Sequence, residues 1–574
     1  MKFFKYNLMS VCAASLMFVS CDLTQEPEDT MSPDTYFKTA TQLGLWTQGY
    51  YDMLDSDGIV ATNADDNVDN ALGELMMGQR TAASSSGWNW GALRRVNYYF
   101  EHKACDESVS APYDAESYFF RAYFYFVKVR RFGDVPYYTQ VLKDNDTELL
   151  RKKRDDRGYV IDRVLEDLDE AYRLGTKSRD LVKVTKWTAL ALKSRVALYE
   201  GTWRKYRGLP DADKYLRAAA DAAEEFISNS GYSIQKTGSE PYRNLFNAID
   251  ATNTEVVLAR KYGNKANVMH SIPFNIKNDR QGFTRRFMNH YLMADGSFYS
   301  SVADYDRKMF ADEVAGRDPR LSQTVLCPGY IQVGATKVTA NDLTAITGYQ
   351  PIKYVGNANY DGSKKAFTDL PLFRAAEVYL NFAEAKAELG TLTQDDLDRS
   401  VNKIRDRVGM PHMSMVDANS NIDPLMVDYY PNVTQSGNTG VILEIRRERT
   451  IELCLEGFRQ WDILRWKEGA QLTRPFYGVY FPAEGEYDMD GDGKADLLVS
   501  SAAKPASWKG NYKQIGKDIT LTGGSEGMIH ALPNLAIEWN EERDYLWPIP
   551  ASERVLSGGA LSQNPGWTDT TNFD

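Results

Sequence analysis

The acidic run near residue 490 is the densest group of residues in this sequence that could do chemistry. It reads D-x-D-x-D-G and ends at Gly493, which is the first half of an oxygen-ligand calcium loop. Carboxylates crowded this closely repel one another unless a divalent cation neutralises them, so the sequence predicts a structural calcium site. The predicted ligands are four carboxylates and one main-chain carbonyl: Asp488, Asp490, Asp492, Asp496 and Lys494.

The loop departs from an EF-hand at its twelfth position, where Val499 stands in place of a bidentate glutamate. A bound calcium ion would therefore tighten the surrounding insertion without acting as an EF-hand switch. The alternative is an acidic turn that stays in water without a metal.

Trp88 and Trp90 follow a flexible Ser/Gly loop at residues 84–87 and could form a binding wall for a sugar. An exposed indole ring can stack on the C–H face of a sugar while the hydroxyls stay in water. Charged side chains nearby would give the stronger hydrogen bonds to those hydroxyls. The predicted ligand contacts are Trp88, Trp90, Asp65, Asp66, Arg80 and, from a second aromatic pair, Tyr299. The alternative is that one of the two tryptophans fills the core.

The sequence contains short matches to catalytic motifs, but the secondary structure and residue spacing around them are not those that the chemistry requires. G-x-S-x-G occurs at residues 523–527, but a nucleophile elbow must open a helix and Pro533 follows too soon. The five histidines show no zinc-binding spacing. The sequence therefore predicts a protein that is not an enzyme, although its 79 acidic residues leave open the paired carboxylates of a glycoside hydrolase.

The composition is that of an ordinary globular chain with an excess of negative charge. Of the 574 residues, 25% are charged and 43% hydrophobic, which excludes a disordered or fibrous chain. The net charge of -12 removes the general electrostatic drive toward phosphate backbones, so no nucleic-acid partner is expected.

Long helices must position these residues. The stretch 114–132 carries aromatic residues around most of its circumference, which predicts a buried helix, and Gly133 and Pro136 predict its end. Alanines at helical spacing suggest closely packed helix pairs of the TPR type. Further predicted helices span residues 155–174, 184–207, 211–229, 371–390, 395–409 and 441–469.

Long irregular stretches separate these helices, at residues 55–92, 231–370, 410–440 and 470–574. Structureless loops of this length are uncommon unless they are functional. The predicted fold class is therefore mainly α, a TPR-like helix-pair scaffold with large, irregular, loop-rich insertions that carry the function.

The N-terminus resembles a bacterial lipoprotein signal. Lys2 and Lys5 precede an apolar run from Leu8 to Ser20 that is too short to span a bilayer, and Cys21 follows directly. The sequence predicts that residues 1–20 are removed and that Cys21 carries the lipid anchor. The alternative is a plain secretory signal with an incidental cysteine.

Five ordered motifs are similar to signatures of the SusD/RagB family. They span most of the chain after Cys21, and jointly they are specific. They lie at residues 115–136 (with F-R-A and R-F-G-D-V-P), 373–385, 447–465 (with R-E-R-T-I-E-L, E-G-F-R and D-I-L-R), 546–550 (L-W-P-I-P) and 564–567 (N-P-G-W).

The resemblance implies a lipoprotein on the outer surface of a Bacteroidota cell. Members of the family bind glycans, or in some cases peptides, and form a lid on a SusC-type TonB-dependent transporter. Their fold packs TPR-like helix pairs against a loop-rich part that carries the ligand site. The implied fold thus agrees with the one that the helices and insertions predict.

The function expected is non-catalytic binding of an oligosaccharide or polysaccharide at the outer membrane, and its delivery to such a transporter. A peptide-binding lid protein and a surface glycoside hydrolase are the alternatives. The expected organisation is a lipoprotein signal at 1–20, a TPR-like helical part with a ligand-binding insertion at 21–230, and a loop-rich SusD/RagB-like part at 231–574.

Overall fold

The computed structural model describes residues 36–61, 64–70, 72–265 and 268–568 of the chain. The predicted signal segment 1–20 and the predicted lipidation site Cys21 lie outside the described residues. Within the described part, no helix is both long enough and apolar enough to cross a membrane.

Long helices dominate the first part of the chain, as the sequence predicts. Helix α3 is buried on most of its surface and ends where Gly133 adopts a φ of +73°, so the buried helix and its end are confirmed. The helices of this part are α1 (Ala40–Gln48), α2 (Gly91–His102), α3 (Glu107–Phe132), α4 (Thr147–Leu150), α5 (Arg157–Leu174), α6 (Lys186–Lys205) and α7 (Ala212–Asn229).

The helix pairs predicted from the alanine spacing are present. Helices α3, α5, α6 and α7 pack in chain order, each against the next. At Gly201 in α6, a Cβ atom would lie 2.8 Å from the Leu216 side chain of α7, so the two helices approach as closely as glycine permits. Ala219 and Ala223 of α7 are fully buried, which completes a TPR-like layer.

Loops and short elements make up residues 231–370. Their helices are α8 (Asn244–Asn247), α9 (Ile272–Asn278), α10 (Arg285–Met288), α11 (Phe310–Val314) and α12 (Arg320–Thr324). Short 3₁₀ turns in the chain lie at Gly49–Met53, Asp57–Val60, Tyr299–Ser301, Tyr305–Arg307, Ala358–Tyr360 and Gly469–Thr473.

The last part of the chain returns to the helical layer through α13, which packs against α6, α7 and α18. Its helices are α13 (Ala375–Leu389), α14 (Gln394–Arg399), α15 (Val401–Asp406), α16 (Met415–Ser420), α17 (Pro424–Tyr429), α18 (Thr439–Glu452), α19 (Arg459–Arg465) and α20 (Ala551–Leu556).

Three predicted helices are corrected in their extent. The helix expected over 395–409 is divided into α14 and α15 at Ser400, whose φ of -126° and ψ of -92° are not helical. The segment expected to be helical from residue 371 first forms a strand, because Leu370–Arg374 pairs antiparallel with Val256–Arg260. The helix expected over 441–469 is interrupted, because Leu455 and Gly457 adopt positive φ values between α18 and α19. Tertiary pairing and a turn thus override the local helical pattern.

Four small sheets join distant loops. β1 pairs with β3, β2 with β4 and β5 with β9, while β6, β7 and β8 form one three-stranded sheet. The strands are β1 (Asn67–Val68), β2 (Val256–Arg260), β3 (Gly282–Phe283), β4 (Leu370–Arg374), β5 (Phe476–Phe481), β6 (Gly485–Tyr487), β7 (Leu497–Ser500), β8 (Asn511–Gln514) and β9 (Gly527–Ala531).

A buried ion-pair network surrounds α18, which is buried along its whole length. Glu452 accepts hydrogen bonds from Arg374 and Arg407, both at 2.6 Å, and from Arg320 at 3.2 Å. Arg374 also donates to Glu456 at 2.7 Å. Buried charges of this kind persist only when they are paired and hydrogen-bonded, so the R-E-R-T-I-E-L motif cross-links α18 to β4 and α12.

The expected division at residue 230 falls just after α7. Helix α7 packs against α13 of the second part, and buried apolar residues of both parts form one continuous core. The loop-rich second part therefore rests on a helical layer to which both parts contribute.

Candidate ligand-binding cleft

A cleft of about 650 Å³ opens between the loop after α1, the C-terminal end of α3 and the turn between α18 and α19. We call it the central cleft and define it by five lining residues, Asp66, Asn67, Arg130, Arg131 and Trp461. These residues come from three distant parts of the sequence, and the fold brings them together.

Two arginines at the end of α3 carry positive charge into the central cleft. The guanidinium carbon of Arg130 lies 3.9 Å from the ring centroid of Trp461, and that of Arg131 lies 4.9 Å from the ring of Trp547. These are cation–π distances. Burial lowers the pKa of both arginines, because removal from water disfavours the charged form.

The loop at residues 84–90 is fixed against α3 beside these arginines. Lys128 donates to the main-chain carbonyls of Gly87 and Asn89, the latter at 2.7 Å. Gly87 has a φ of +91°, and a Cβ atom there would lie 3.1 Å from Nε of Arg131. Glycine at this position therefore allows the Arg131 side chain to lie against the loop backbone.

Polar atoms with unused hydrogen-bonding capacity surround the central cleft. Within the described part of the chain, Oδ1 of Asn67 and the Nε atoms of Arg130 and Arg131 are buried and have no partner. The amide of Asn67 does donate to Gln281 at 3.4 Å, which fixes its orientation. Buried polar atoms in proteins are normally paired, so several unpaired ones on residues that line one cleft make this cleft a candidate binding site.

Asp66 and Asp65 are adjacent and buried but differ in charge state. Burial and the neighbouring Asp65 raise the pKa of Asp66 from 3.8 to about 7. Burial acts on Asp65 as well, but Arg459 donates to it at 2.6 and 2.8 Å and Arg286 lies 3.3 Å away. These two arginines hold the pKa of Asp65 well below its usual range.

We expect Asp66→Asn to change how stability depends on pH. Because the pKa of Asp66 is higher in the folded protein than its ordinary 3.8, its contribution to stability is complete below that value and is lost as pH rises through about 7. Urea unfolding of the wild type at several pH values should show this loss, and the variant should show less of it. Glu468, whose pKa burial also raises to about 7, would keep part of the slope. An identical slope in both proteins would contradict the assignment.

A second cavity, of about 520 Å³, contains the two predicted tryptophans. We call it the Trp90 groove and define it by Trp88, Trp90, Tyr138, Leu142 and Leu556. The predicted contact Trp88 is corrected, because its side chain is only 6% exposed and meets the ring of Phe132 edge-on at 4.9 Å. Trp90 is half-buried, so it alone of the pair presents a substantial surface to the groove.

Two further predicted contacts are corrected because they serve the interior. Arg80 is 5% exposed, donates to Asp544 at 3.0 Å and lies over the ring of Trp547 at 4.7 Å. Tyr299 is 2% exposed, and Arg317 lies 3.5 Å from its ring centroid. Of the six predicted contacts, only Asp66 lines the central cleft, while Trp88 and Trp90 line the Trp90 groove.

Sequence reasoning missed the arginine pair and Trp461. Arg130 and Arg131 lie in the last turn of α3, where the helix dipole favours cations. Because the dipole alone explains two cations there, nothing in the sequence was a reason to assign them to a ligand site. The available signal was the position of both arginines and of Trp461 inside the motifs at 115–136 and 447–465. Only the structure brings these two motifs into one cleft.

The acidic loop brings together three of its predicted ligands. One carboxylate oxygen each from Asp488, Asp490 and Asp496 lies within 4.8 Å of the others. Burial and the nearby Asp490 raise the pKa of Asp496, and its Oδ1 is buried without a partner among the described residues. Asp492 turns away and contacts Lys494 at 3.3 Å, so the predicted ligands do not all converge in this structure.

Comparison with known proteins establishes the family. Residues 254–567 match the family model described as the SusD family, and residues 91–198 match one described as starch-binding, associating with outer membrane. The first match covers more than half of the chain. The chain therefore belongs to the SusD family.

Individual relatives are distant but cover nearly the whole length. SusD-like protein P2 of Formosa agariphila is 24% identical over 499 residues, which cover 82% of this chain and 92% of the relative. A SusD-like protein from Bacteroides fragilis matches with a TM-score of 0.69 at 24% identity, covering 95% of this chain and all of the other. A SusD-like carbohydrate-binding protein from the same species matches with a TM-score of 0.65 at 18% identity, covering 91% of this chain and 99% of the other. These structures confirm the predicted fold class.

Proposed function

We propose that this protein is a cell-surface lipoprotein that binds an oligosaccharide or polysaccharide in the central cleft. It delivers the bound glycan, unaltered, to a SusC-type TonB-dependent transporter. The observation that carries the proposal is the set of unpaired polar atoms on Asn67, Arg130 and Arg131 beside the half-buried ring of Trp461. Sugars offer many hydroxyls and apolar C–H faces, and such a cleft offers partners for both.

The anchor would act by raising local concentration. A multiply acylated Cys21 would keep the protein beside its transporter without a membrane-spanning helix. The outer-membrane association named in the family model for residues 91–198 supports this location. The single-chain anchors of other proteins bind only marginally, so stable attachment would require more than one acyl chain.

Catalysis is not part of the proposal because the buried acids of the central cleft are not arranged as a free pair. Glu456 lines the cleft but is held by Arg374 at 2.7 Å and by Lys353 at 2.6 Å. Asp66 carries a raised pKa and would resemble a general acid, but a glycoside hydrolase also needs a second carboxylate at a defined separation, and the remaining acids of the lining, Asp55 and Glu74, are exposed to water.

Isothermal titration against a panel of neutral and acidic glycans tests the proposal. Micromolar or weaker binding to at least one glycan is expected, with the same glycan recovered at full length after long incubation. Shortened products would favour a glycoside hydrolase. Binding to peptides, with no detectable binding to any glycan, would favour the peptide-binding alternative.

The half-buried Trp90 defines a secondary candidate contact in its own groove. Trp90→Ala, compared with a binding-neutral change such as Trp508→Ala on the loop before β8, tests whether a long glycan reaches it. Loss of affinity for long chains only would indicate that one ligand spans the cleft and the groove.

We also propose that calcium binds the acidic loop through Asp488, Asp490 and Asp496. The buried, unpartnered oxygen of Asp496 supports a cation there, and oxygen ligands suit calcium. Binding to the folded state alone would add about 2.7 kcal/mol at a calcium concentration one hundred times the dissociation constant. We therefore expect calcium to raise the melting temperature, and chelation to reverse the rise.

The matched variants are Asp488→Asn, which should abolish the calcium effect, and the exposed Asp144→Asn, which should leave it unchanged. Magnesium at equal concentration controls for ionic strength. An equal melting temperature with calcium and with chelator would mean that the loop is a solvated acidic turn.

A further inference from the structure

We infer that the central cleft selects anionic saccharides, with Arg130 and Arg131 binding a carboxylate or a sulfate ester of the glycan. The inference rests on the proposed function, because it assigns the chemistry of the ligand in the same cleft. The carboxylate of a uronic acid and the sulfate ester of a sulfated sugar both present two anionic oxygens that can accept the paired N–H groups of a guanidinium group.

Arg130 is held in the cleft without a counter-charge. Among the described residues, no carboxylate lies within the 4.0 Å ion-pair distance of its guanidinium group, and its Nε has no hydrogen-bond partner. Its cation–π contact with Trp461 at 3.9 Å fixes the plane of the group but leaves the N–H edge unused. A guanidinium group removed from water without an anion is in an unfavourable state that a bound anion would relieve.

Arg131 repeats this arrangement one residue further along α3. Its Nη2 makes a long contact of 3.4 Å with Ser86, and its Nε is buried without a partner in the described part of the chain. The main chain of Arg131 is itself fixed, because its carbonyl accepts a hydrogen bond from Trp547 at 2.8 Å. The two arginines are therefore preorganised by the ring of Trp461, the ring of Trp547 and the Gly87 loop.

The other charged groups that line the cleft are engaged elsewhere. Arg195 is paired with Glu377 at 2.6 Å and Arg459 with Asp65 at 2.6 Å. Glu456 is paired with Arg374.

The remaining carboxylates of the lining offset the two arginines only in part. Asp55 and Glu74 are exposed to water and act on Arg130 and Arg131 through space, but among the described residues neither lies within ion-pair distance of either guanidinium group. Asp66 is buried, and burial raises its pKa to about 7, so that near neutral pH it is partly protonated and able to donate to an anion. The charge of the buried cleft wall is therefore positive, although the whole chain is acidic with a net charge of -12.

Matched pairs of glycans test the inference on the wild-type protein. Hexagalacturonate is compared with its fully methyl-esterified form, and a sulfated galactan oligosaccharide with its desulfated form, by isothermal titration. The first pair reports on carboxylates and the second on sulfate esters. For at least one pair, we expect the anionic member to bind roughly tenfold or more tightly than its neutral partner, as charge-assisted bidentate contacts would provide.

Variants test which residues select the anion. Arg130→Gln and Arg131→Gln should each weaken binding of the anionic member by roughly tenfold or more beyond any weakening of the neutral member, because only the anionic member loses a charge-assisted contact. Arg217→Gln is the matched control, because it removes the same charge at an exposed site on α7. Arg130→Lys keeps the charge but loses the planar fork, so it should restore the preference only in part.

The outcomes separate the two proposals. Binding of neutral glycans with no preference for any anionic partner would overturn the inference and leave the proposed function standing. Absence of binding to every glycan would overturn both. If an arginine variant melts at a clearly lower temperature than the wild type, the comparison of matched glycans on the wild type decides the question by itself.

Discussion

Trp461→Ala is expected to weaken glycan binding by roughly tenfold or more. The substitution removes the aromatic wall of the central cleft and the ring that holds the Arg130 guanidinium group at 3.9 Å. Loss of a well-placed aromatic contact and of the charged group that it orients each reduces affinity substantially. Isothermal titration with the glycan that binds the wild type measures the effect.

Trp508→Ala is the matched control for this prediction. Trp508 is also partly exposed but lies outside the central cleft, where its indole N–H donates to Asn511 at 2.7 Å. Its replacement should leave glycan affinity unchanged. Thermal unfolding of both variants distinguishes a loss of binding from a loss of folded protein. If Trp461→Ala bound as tightly as the wild type, the central cleft would not be the binding site.

Glu452→Gln is expected to lower the free energy of unfolding by about 3–5 kcal/mol, because removing one partner leaves buried charges uncompensated. Three arginines, Arg320, Arg374 and Arg407, donate to this fully buried carboxylate. Urea denaturation of the wild type and the variant measures the difference. The control Glu170→Gln removes the carboxylate of an exposed pair with Arg173, and such pairs contribute little.

The same network predicts sensitivity to acid. Burial alone would raise the pKa of Glu452, but its paired arginines lower it well below its usual range. Glu384 belongs to a separate buried pair with Arg465 at 2.7 Å, and that arginine likewise lowers its pKa, to about 2. Because these folded-state pKa values lie below the ordinary 4.5, the stabilisation is present above pH 4.5 and is lost as pH falls toward about 2. Glu452→Gln should flatten this loss. A variant as stable as the wild type at neutral pH would refute the role of the network.

The network also shows why a buried motif is informative without being functional. R-E-R-T-I-E-L reads as a highly charged segment that would suit a solvated helix face, yet every residue from Arg446 to Glu452 is buried. The charges of the motif find their partners on β4, α12 and the segment after α15. Their role is therefore structural, and the candidate cleft lies beside the motif, where Trp461 and Arg130 meet.

The sequence by itself determined the helical layer of this protein. The aromatic surface of 114–132, the stop at Gly133 and the alanines of α7 and α13 are each patterns within a single helix, so the sequence alone predicts α3 and closely packed helices. The motifs also determined the family. The long stretches without a periodic pattern are rich in loops, as predicted, but they also contain the strands β5 to β9 and the short helices α16, α17 and α20, which the sequence did not predict.

Only the tertiary structure decided where the candidate site lies. Trp88 and Trp90 are two residues apart, but Trp88 packs under Phe132 while Trp90 borders a groove. Arg80 is a charged residue close in sequence to the two tryptophans, which suggested a ligand contact. In the structure it pairs instead with Asp544, 464 residues later in the chain. Exposure and charge pairing depend on partners that the fold brings from hundreds of residues away, and a linear pattern contains no record of those partners.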